Sequence, residues 1–189
     1  VLLVSGGSVG DWRTAAFYTS FARVLAAEGI AAVNYDKRLA RDRNSVPLAS
    51  HDSLALVDYL KGNAAKYGLD TSRLCTWHFS AGGTVAGTML GEQSPASCVV
   101  LTYAILSLGE GDQNPRLAPH SALVQARERG DRFPPTLVVR AGRDAKTLND
   151  SIDAFVAAEG QPEAVQLSGG EPSIHPEILD MLAAAKARG

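Results

Sequence analysis

Four features of this sequence could act together chemically: Ser80, Asp144, His175 and the turn Ser5-Gly6-Gly7-Ser8. A serine hydroxyl is a poor nucleophile until an imidazole takes its proton and a carboxylate holds that imidazole's tautomer. Ser80 follows an apolar run that starts at Arg73 and precedes Ala81-Gly82-Gly83. Small residues there let a strand turn sharply into a helix, so that the serine projects from the strand's carboxyl end. Residues 78–82 read as Gly-x-Ser-x-Gly with His78 in place of the first Gly. A Ser-x-Gly turn alone also serves as a plain structural connection, so the assignment rests on its partners. Asp144 and His175 follow in the chain order Ser…Asp…His, and the N–H groups of Ala81, Gly7 and Ser8 are the candidate oxyanion donors.

The other candidates for these roles are worse placed. His51 stands before a helix upstream of the nucleophile, and His78 points from the nucleophile strand into packing. His120 belongs to a possible insertion, Asp131 precedes the strand that Asp144 follows, and Asp150 and Asp153 fall on the next helix. The Ser5–Gly10 turn lacks Gly-x-Gly-x-x-Gly and the P-loop Gly-Lys-Ser/Thr, which puts nucleotide binding well below oxyanion duty.

These residues need a scaffold that presents strand ends. Apolar runs at 1–4, 30–35, 73–79, 98–106, 136–142 and 164–167 read as strands. Helical spacing marks 12–28, 51–67, 82–91, 121–129, 148–159 and a terminal helix opened by Pro176. The alternation predicts an α/β fold, a mostly parallel sheet of about six strands with helices on both faces. Function in such sheets gathers at the carboxyl ends of strands. Residues 1–189 are expected to form a single domain, with a possible short lid or pocket insertion at 107–133. The charged run 36–44 reads as a solvated loop.

Composition narrows the partners. With 46% apolar and 20% charged residues and a net charge of -2, the chain has no basic footprint for nucleic acid or an anionic membrane. No apolar run reaches transmembrane length, and the N-terminus shows no signal peptide, which favours the cytoplasm, although Val1 already lies inside a strand. A small-molecule substrate is expected, with no cofactor and no metal. Cys75 and Cys98 fit neither a disulfide framework nor a zinc site; reduced core cysteines are expected, with a disulfide between neighbouring strands as the alternative.

With these residues in hand, the chain resembles the α/β-hydrolase superfamily, in particular the carboxylesterases akin to hormone-sensitive lipase. Ser80-Ala81-Gly82-Gly83 matches that branch's Ser-Ala-Gly-Gly. Residues 67–74 are similar to its Gly-Ile-Asp-Pro-Ser-Arg-Ile turn, and residues 34–40 look like its Asp-Tyr-Arg-Leu-Ala-Pro segment with one extra residue and no Pro. Ser5-Gly6-Gly7-Ser8 stands where the branch has His-Gly-Gly-Gly, and the two leading antiparallel strands of the fold have no counterpart. The resemblance implies carboxylic ester hydrolysis through an acyl-serine, without metal or cofactor. An acyltransferase or peptidase on the same triad, or a non-catalytic homologue that binds a small ligand, are the alternatives.

Overall fold

The computed structural model describes residues 1–6, 13–38, 45–129, 132, 134–140 and 146–159. Five strands, β1 (Leu2–Val4), β2 (Val33–Asn34), β3 (Cys75–Phe79), β4 (Cys98–Thr102) and β5 (Thr136–Val139), form one parallel sheet in the order β2-β1-β3-β4-β5. The connections carry α1 (Ala16–Ala27), α2 (Val46–Gly62), α3 (Ala64–Tyr67), α4 (Gly87–Leu90) and α5 (Ala122–Arg129), and α6 (Lys146–Glu159) follows β5. The expected α/β architecture is present, and the expected strand at 164–167 and the terminal helix lie outside the described residues.

This strand order creates a crevice. From β1 the chain steps outward to β2, then returns past β1 to β3 and continues to β4 and β5, so the winding reverses between β1 and β3. The carboxyl ends of strands at such a reversal are where open α/β sheets bind ligands. Ser5 and Gly6 leave β1 there, and Ser80 leaves β3.

Side chains alternate across the sheet as the pleat demands. Leu3, Trp77 and Phe79 face α1, where Tyr18 and Phe21 complete an aromatic layer with ring centroids 5.0 to 5.4 Å apart. On the other face the largest core cluster joins β4 to α4, α5 and α6 through Met89, Leu90, Val99, Leu101, Leu123, Ile152 and Phe155. Within 107–129, Leu108 and Leu117 are buried with Val4, Val46 and Val85, and Ala122, Leu123 and Ala126 enter the main core.

Several element boundaries differ from the sequence reading, three of them with a clear cause or consequence. β2 is two residues rather than six, because Ile30 N–H still bonds the Leu25 carbonyl of α1. α2 starts at Val46, not 51, since Pro47 is accommodated in a first turn, where its missing N–H costs little. The helix expected at 82–91 is a 3-10 turn over Ser80–Val85 followed by α4. Of its small residues, Gly83 lies against Ala104–Ile105, and Gly87 lies against His120–Ser121 rather than the sheet.

The cysteines are a correction. Cys75 and Cys98 form a disulfide, with Cα atoms 4.6 Å apart. The expectation of reduced thiols failed because both begin neighbouring strands and the β3–β4 register places them directly opposite one another. Closing a loop of this length removes about 3 kcal/mol of chain entropy from the unfolded state. Replacing both with Ser is therefore expected to lower the denaturant midpoint by an amount equivalent to about 3 kcal/mol, and added reductant should leave the variant's midpoint unchanged while lowering that of the parent.

Candidate active site

β3 ends at Phe79 in extended geometry, and Ser80 then takes φ 47°. A left-handed backbone costs a residue with a Cβ about 1–2 kcal/mol, so the surroundings must impose it. They do so on two sides. The Ile105 N–H, just beyond β4, donates to the Ser80 carbonyl at 2.9 Å. From the β1 side, Gly6 packs so closely that a Cβ on it would lie 2.8 Å from both the Phe79 carbonyl oxygen and the Ser80 Cβ. Past the serine, Thr84 Oγ1 donates to the Ala81 carbonyl at 2.8 Å, closing the first turn. Ser80 is half-buried at the carboxyl end of β3, next to the winding reversal of the sheet. Tyr103, at the end of the adjacent strand β4, is the other non-glycine residue with positive φ among those described.

A bulky residue such as His78 in place of glycine could force the turn open. The imidazole is instead fully buried on the face it shares with Thr76, and it ties the elbow together. Nδ1 lies 3.0 Å from the Gly82 carbonyl and Nε2 lies 3.0 Å from Thr76 Oγ1. A carbonyl can only accept, so Nδ1 carries the proton and Nε2 accepts from the threonine. Burial, with a smaller contribution from the positive charge of Lys37, lowers the His78 pKa to about 4 and keeps it neutral. Because the unfolded chain takes up this proton at a higher pH than the native one, the group's contribution to stability is complete above about pH 6.5. That contribution is lost as pH falls toward 4. Leucine at position 78 should remove this acid dependence; an equally steep loss of stability between pH 6.5 and 4 in the variant would count against it.

The turn after β1 is gripped at one peptide unit. Lys37 Nζ donates to the Ser5 carbonyl at 2.7 Å and to Ser5 Oγ at 3.3 Å, and the Gly6 N–H donates to the Tyr18 hydroxyl at 2.7 Å. Neither Lys37 nor Tyr18 was singled out from the sequence. The lysine sits in a charged run that reads as solvated, and the tyrosine reads as one more apolar position of α1. Burial lowers the Lys37 pKa to about 8.

Of the six site residues expected from sequence, Ser80 and Ala81 stand at the elbow, while Gly7, Ser8, Asp144 and His175 lie outside the described residues. His51 is exposed on α2, and His120 is half-buried, with burial lowering its pKa and its Nδ1 buried without a partner. No group of three metal-ligating side chains occurs among the described residues, and none of their helices is long and apolar enough to cross a membrane.

A strained serine thus stands between a β-strand and a tight turn, at the winding reversal of a parallel sheet. Residues 1–98 match the model of the BD-FAE family, just over half of the 189 residues. The chain belongs to the BD-FAE family. That match runs from β1 to the first residue of β4, so the BD-FAE portion contains both walls of the crevice, Ser5-Gly6 and Ser80-Ala81. This BD-FAE chain also shares its fold with solved carboxylesterase structures. A lipase/esterase from Lactobacillus plantarum superposes with a TM-score of 0.69 at 19% identity, over 98% of this chain and 85% of that one. The carboxylesterase Cest-2923 of Lactobacillus plantarum WCFS1 gives 0.63 at 19% identity, over 83% and 65%. Esterase 2 of Thermogutta terrifontis, in a form phosphoramylated by tabun, gives 0.65 at 20% identity, over 84% and 65%. The chain thus spans less than two thirds of the length of the latter two. No curated protein matches the sequence.

Proposed function

We propose that this BD-FAE chain is a carboxylic ester hydrolase working through an acyl-serine intermediate. The observation that carries the proposal is Ser80 held at φ 47° at the winding reversal of the sheet. Strain of that kind in a residue other than glycine persists where the surroundings over-determine it, and such places cluster at reacting centres. In the proposed reaction Ser80 Oγ attacks the ester carbonyl carbon as His175 takes its proton, with Asp144 holding the imidazole in register. The negative charge that develops on the former carbonyl oxygen is received by the N–H groups of Ala81, Gly7 and Ser8. Collapse expels the alcohol, which leaves with the proton from His175. Water, deprotonated by the same histidine, then releases the acid and restores Ser80.

The esterase names of the structural relatives support this reading, as does the one phosphoramylated by tabun, the reaction expected when an activated nucleophile meets an organophosphorus agent. The whole chain is proposed as one domain, with 107–133 contributing to the substrate pocket. A fluorophosphonate probe tests the reading directly. Stoichiometric labelling of the protein at Ser80, together with turnover of p-nitrophenyl esters, is the expected result. Labelling elsewhere, or none, would overturn it, and transfer of the acyl group to added alcohol or amine in preference to water would reassign the reaction to acyl transfer.

A further inference from the structure

Lys37 is a buried lysine, only 9% exposed, and no carboxylate pairs with it among the described residues. Lysine is almost never buried without a counter-charge, because removing an ammonium from water costs several kcal/mol that only good hydrogen bonds and charge can offset. A neutral, apolar residue of the same length could fill this space without that cost. Among the described residues its hydrogen bonds go to Ser5, just before the candidate oxyanion donors.

The bond to the Ser5 carbonyl and the bond from the Gly6 N–H act on the two ends of a single peptide group. A peptide group is planar and rigid, so holding its oxygen from one side and its N–H from the other removes its freedom to rotate. The path of the chain into Gly7 and Ser8 starts from that fixed plane. Resting on the ester-hydrolase reading above, we propose that Lys37 is a positioning residue of the reaction, one that locks the Ser5–Gly6 peptide so that the following N–H groups meet the oxyanion. Its charge matters as well as its reach. A hydrogen bond from a cation is roughly twice as strong as a neutral one, and a fixed positive charge favours negative charge that develops near it.

The charged and titratable groups around Lys37 leave it as the alkaline titrating group at the site among the described residues. From β3, His78 faces it and stays neutral, with a pKa near 4. On its own segment Asp36 pairs with Arg13, and Arg38 is bonded to Asp52 of α2. Tyr18 of α1 and Tyr35, which is bonded to Ser53 of α2, are both pushed upward by burial, Tyr35 to about 12. The Val1 amine is lowered, but it sits at the opposite end of β1. Lys37, lowered to about 8, therefore loses its proton first at the site. Burial depresses this pKa below the ordinary 10.5, so between about 8 and 10.5 the unfolded chain binds more protons than the native one. The residue's contribution to stability then rises with pH across that window. Activity and this stability contribution are thus expected to move in opposite directions, which a simple strut would not produce.

The test uses the full chain and a p-nitrophenyl short-chain ester, with kcat and KM measured from about pH 6 to 10. A Ser-His-Asp base needs only to be neutral, so its profile rises and stays level; Lys37 adds a fall centred near pH 8. Lys37→Met is expected to lower kcat about ten- to a hundredfold at pH 7 with KM little changed, and to abolish the alkaline fall. Lys37→Arg, which keeps its charge throughout, is expected to recover most of kcat with no alkaline fall. A fluorophosphonate label on Ser80 is followed in all three proteins. If Ser80 of the parent labels but Lys37→Met keeps the parent kcat and profile, the lysine proposal alone is overturned. If Ser80 of the parent does not label, the esterase reading falls and the lysine proposal with it. Should Lys37→Met fail to fold, the parent and Lys37→Arg decide: a level parent profile to pH 10, or the same fall near pH 8 in both, overturns the proposal, and a fall present only in the parent supports it.

Discussion

Replacing Ser80 with Ala is expected to lower kcat for ester hydrolysis by roughly 10⁴-fold or more, and to abolish fluorophosphonate labelling, while the protein stays folded. The magnitude follows from the division of labour at the site. The proposed oxyanion donors and substrate binding would survive the substitution and leave a residual rate above water. Nucleophile and base act as a unit, so losing either forfeits most of the chemical step. The structure adds a second expectation that an ordinary surface serine would not produce. Position 80 has φ 47°, where a Cβ is strained and glycine is not. Ser80→Gly should therefore be as inactive as Ser80→Ala but more stable than it, by about 1 kcal/mol in denaturant unfolding. If Ser80→Ala keeps activity within tenfold of the parent, the nucleophile lies elsewhere. If Gly and Ala are equally stable at position 80, the strain attributed to the elbow is absent.

The legibility of this site in the sequence depended on how each feature is encoded. Buried parallel strands write themselves as continuous apolar runs, so β1, β3, β4 and β5 were visible, and a serine among small residues at a strand end marked the elbow. Its backbone conformation was not visible, because glycine is the usual mark of positive φ and Ser80 is not glycine. That φ is imposed from outside by Gly6 and Ile105, which are distant in sequence. Lys37 shows the opposite failure. Charge runs are read as solvated, and for Asp36 and Arg38 that is right, since both pair at or near the surface. The residue between them is buried against Ser5, just past β1, and nothing local to the run distinguishes it. The disulfide was hidden in the same way, because register, not composition, sets Cys75 against Cys98. The match to the BD-FAE family ends at residue 98, so the roles of Asp144 and His175 rest on their positions in the chain order and belong to the proposal.

A methyl group added at Gly82 is expected to damage both stability and turnover, by a route different from losing the nucleophile. An alanine Cβ at this position would lie 2.4 Å from the Val4 carbonyl oxygen and 2.8 Å from that of Ser5. Both are backbone atoms of β1 or its exit, and β1 is paired on both edges, to β2 and to β3, so it has no direction in which to yield. The turn must move instead, but the Gly82 carbonyl is held by His78 Nδ1 and the Ser80 carbonyl by the Ile105 N–H. Overpacking of this kind costs about 3 kcal/mol when no flexible side chain can absorb it. Activity suffers further, since the same movement shifts Ser80 relative to the loop that begins at Ser5, and a displacement of about 1 Å at a reacting centre costs on the order of a hundredfold. Gly82→Ala should therefore lose about 3 kcal/mol in denaturant unfolding and at least a hundredfold in kcat/KM. Gly62→Ala is the matched control: it ends α2 with nothing within 4 Å of the new Cβ, and it should be neutral or slightly stabilising and fully active. Equal stability and activity in the two variants would mean that β1 and the elbow are not in the close contact on which both the strain at Ser80 and the aim of the oxyanion loop depend.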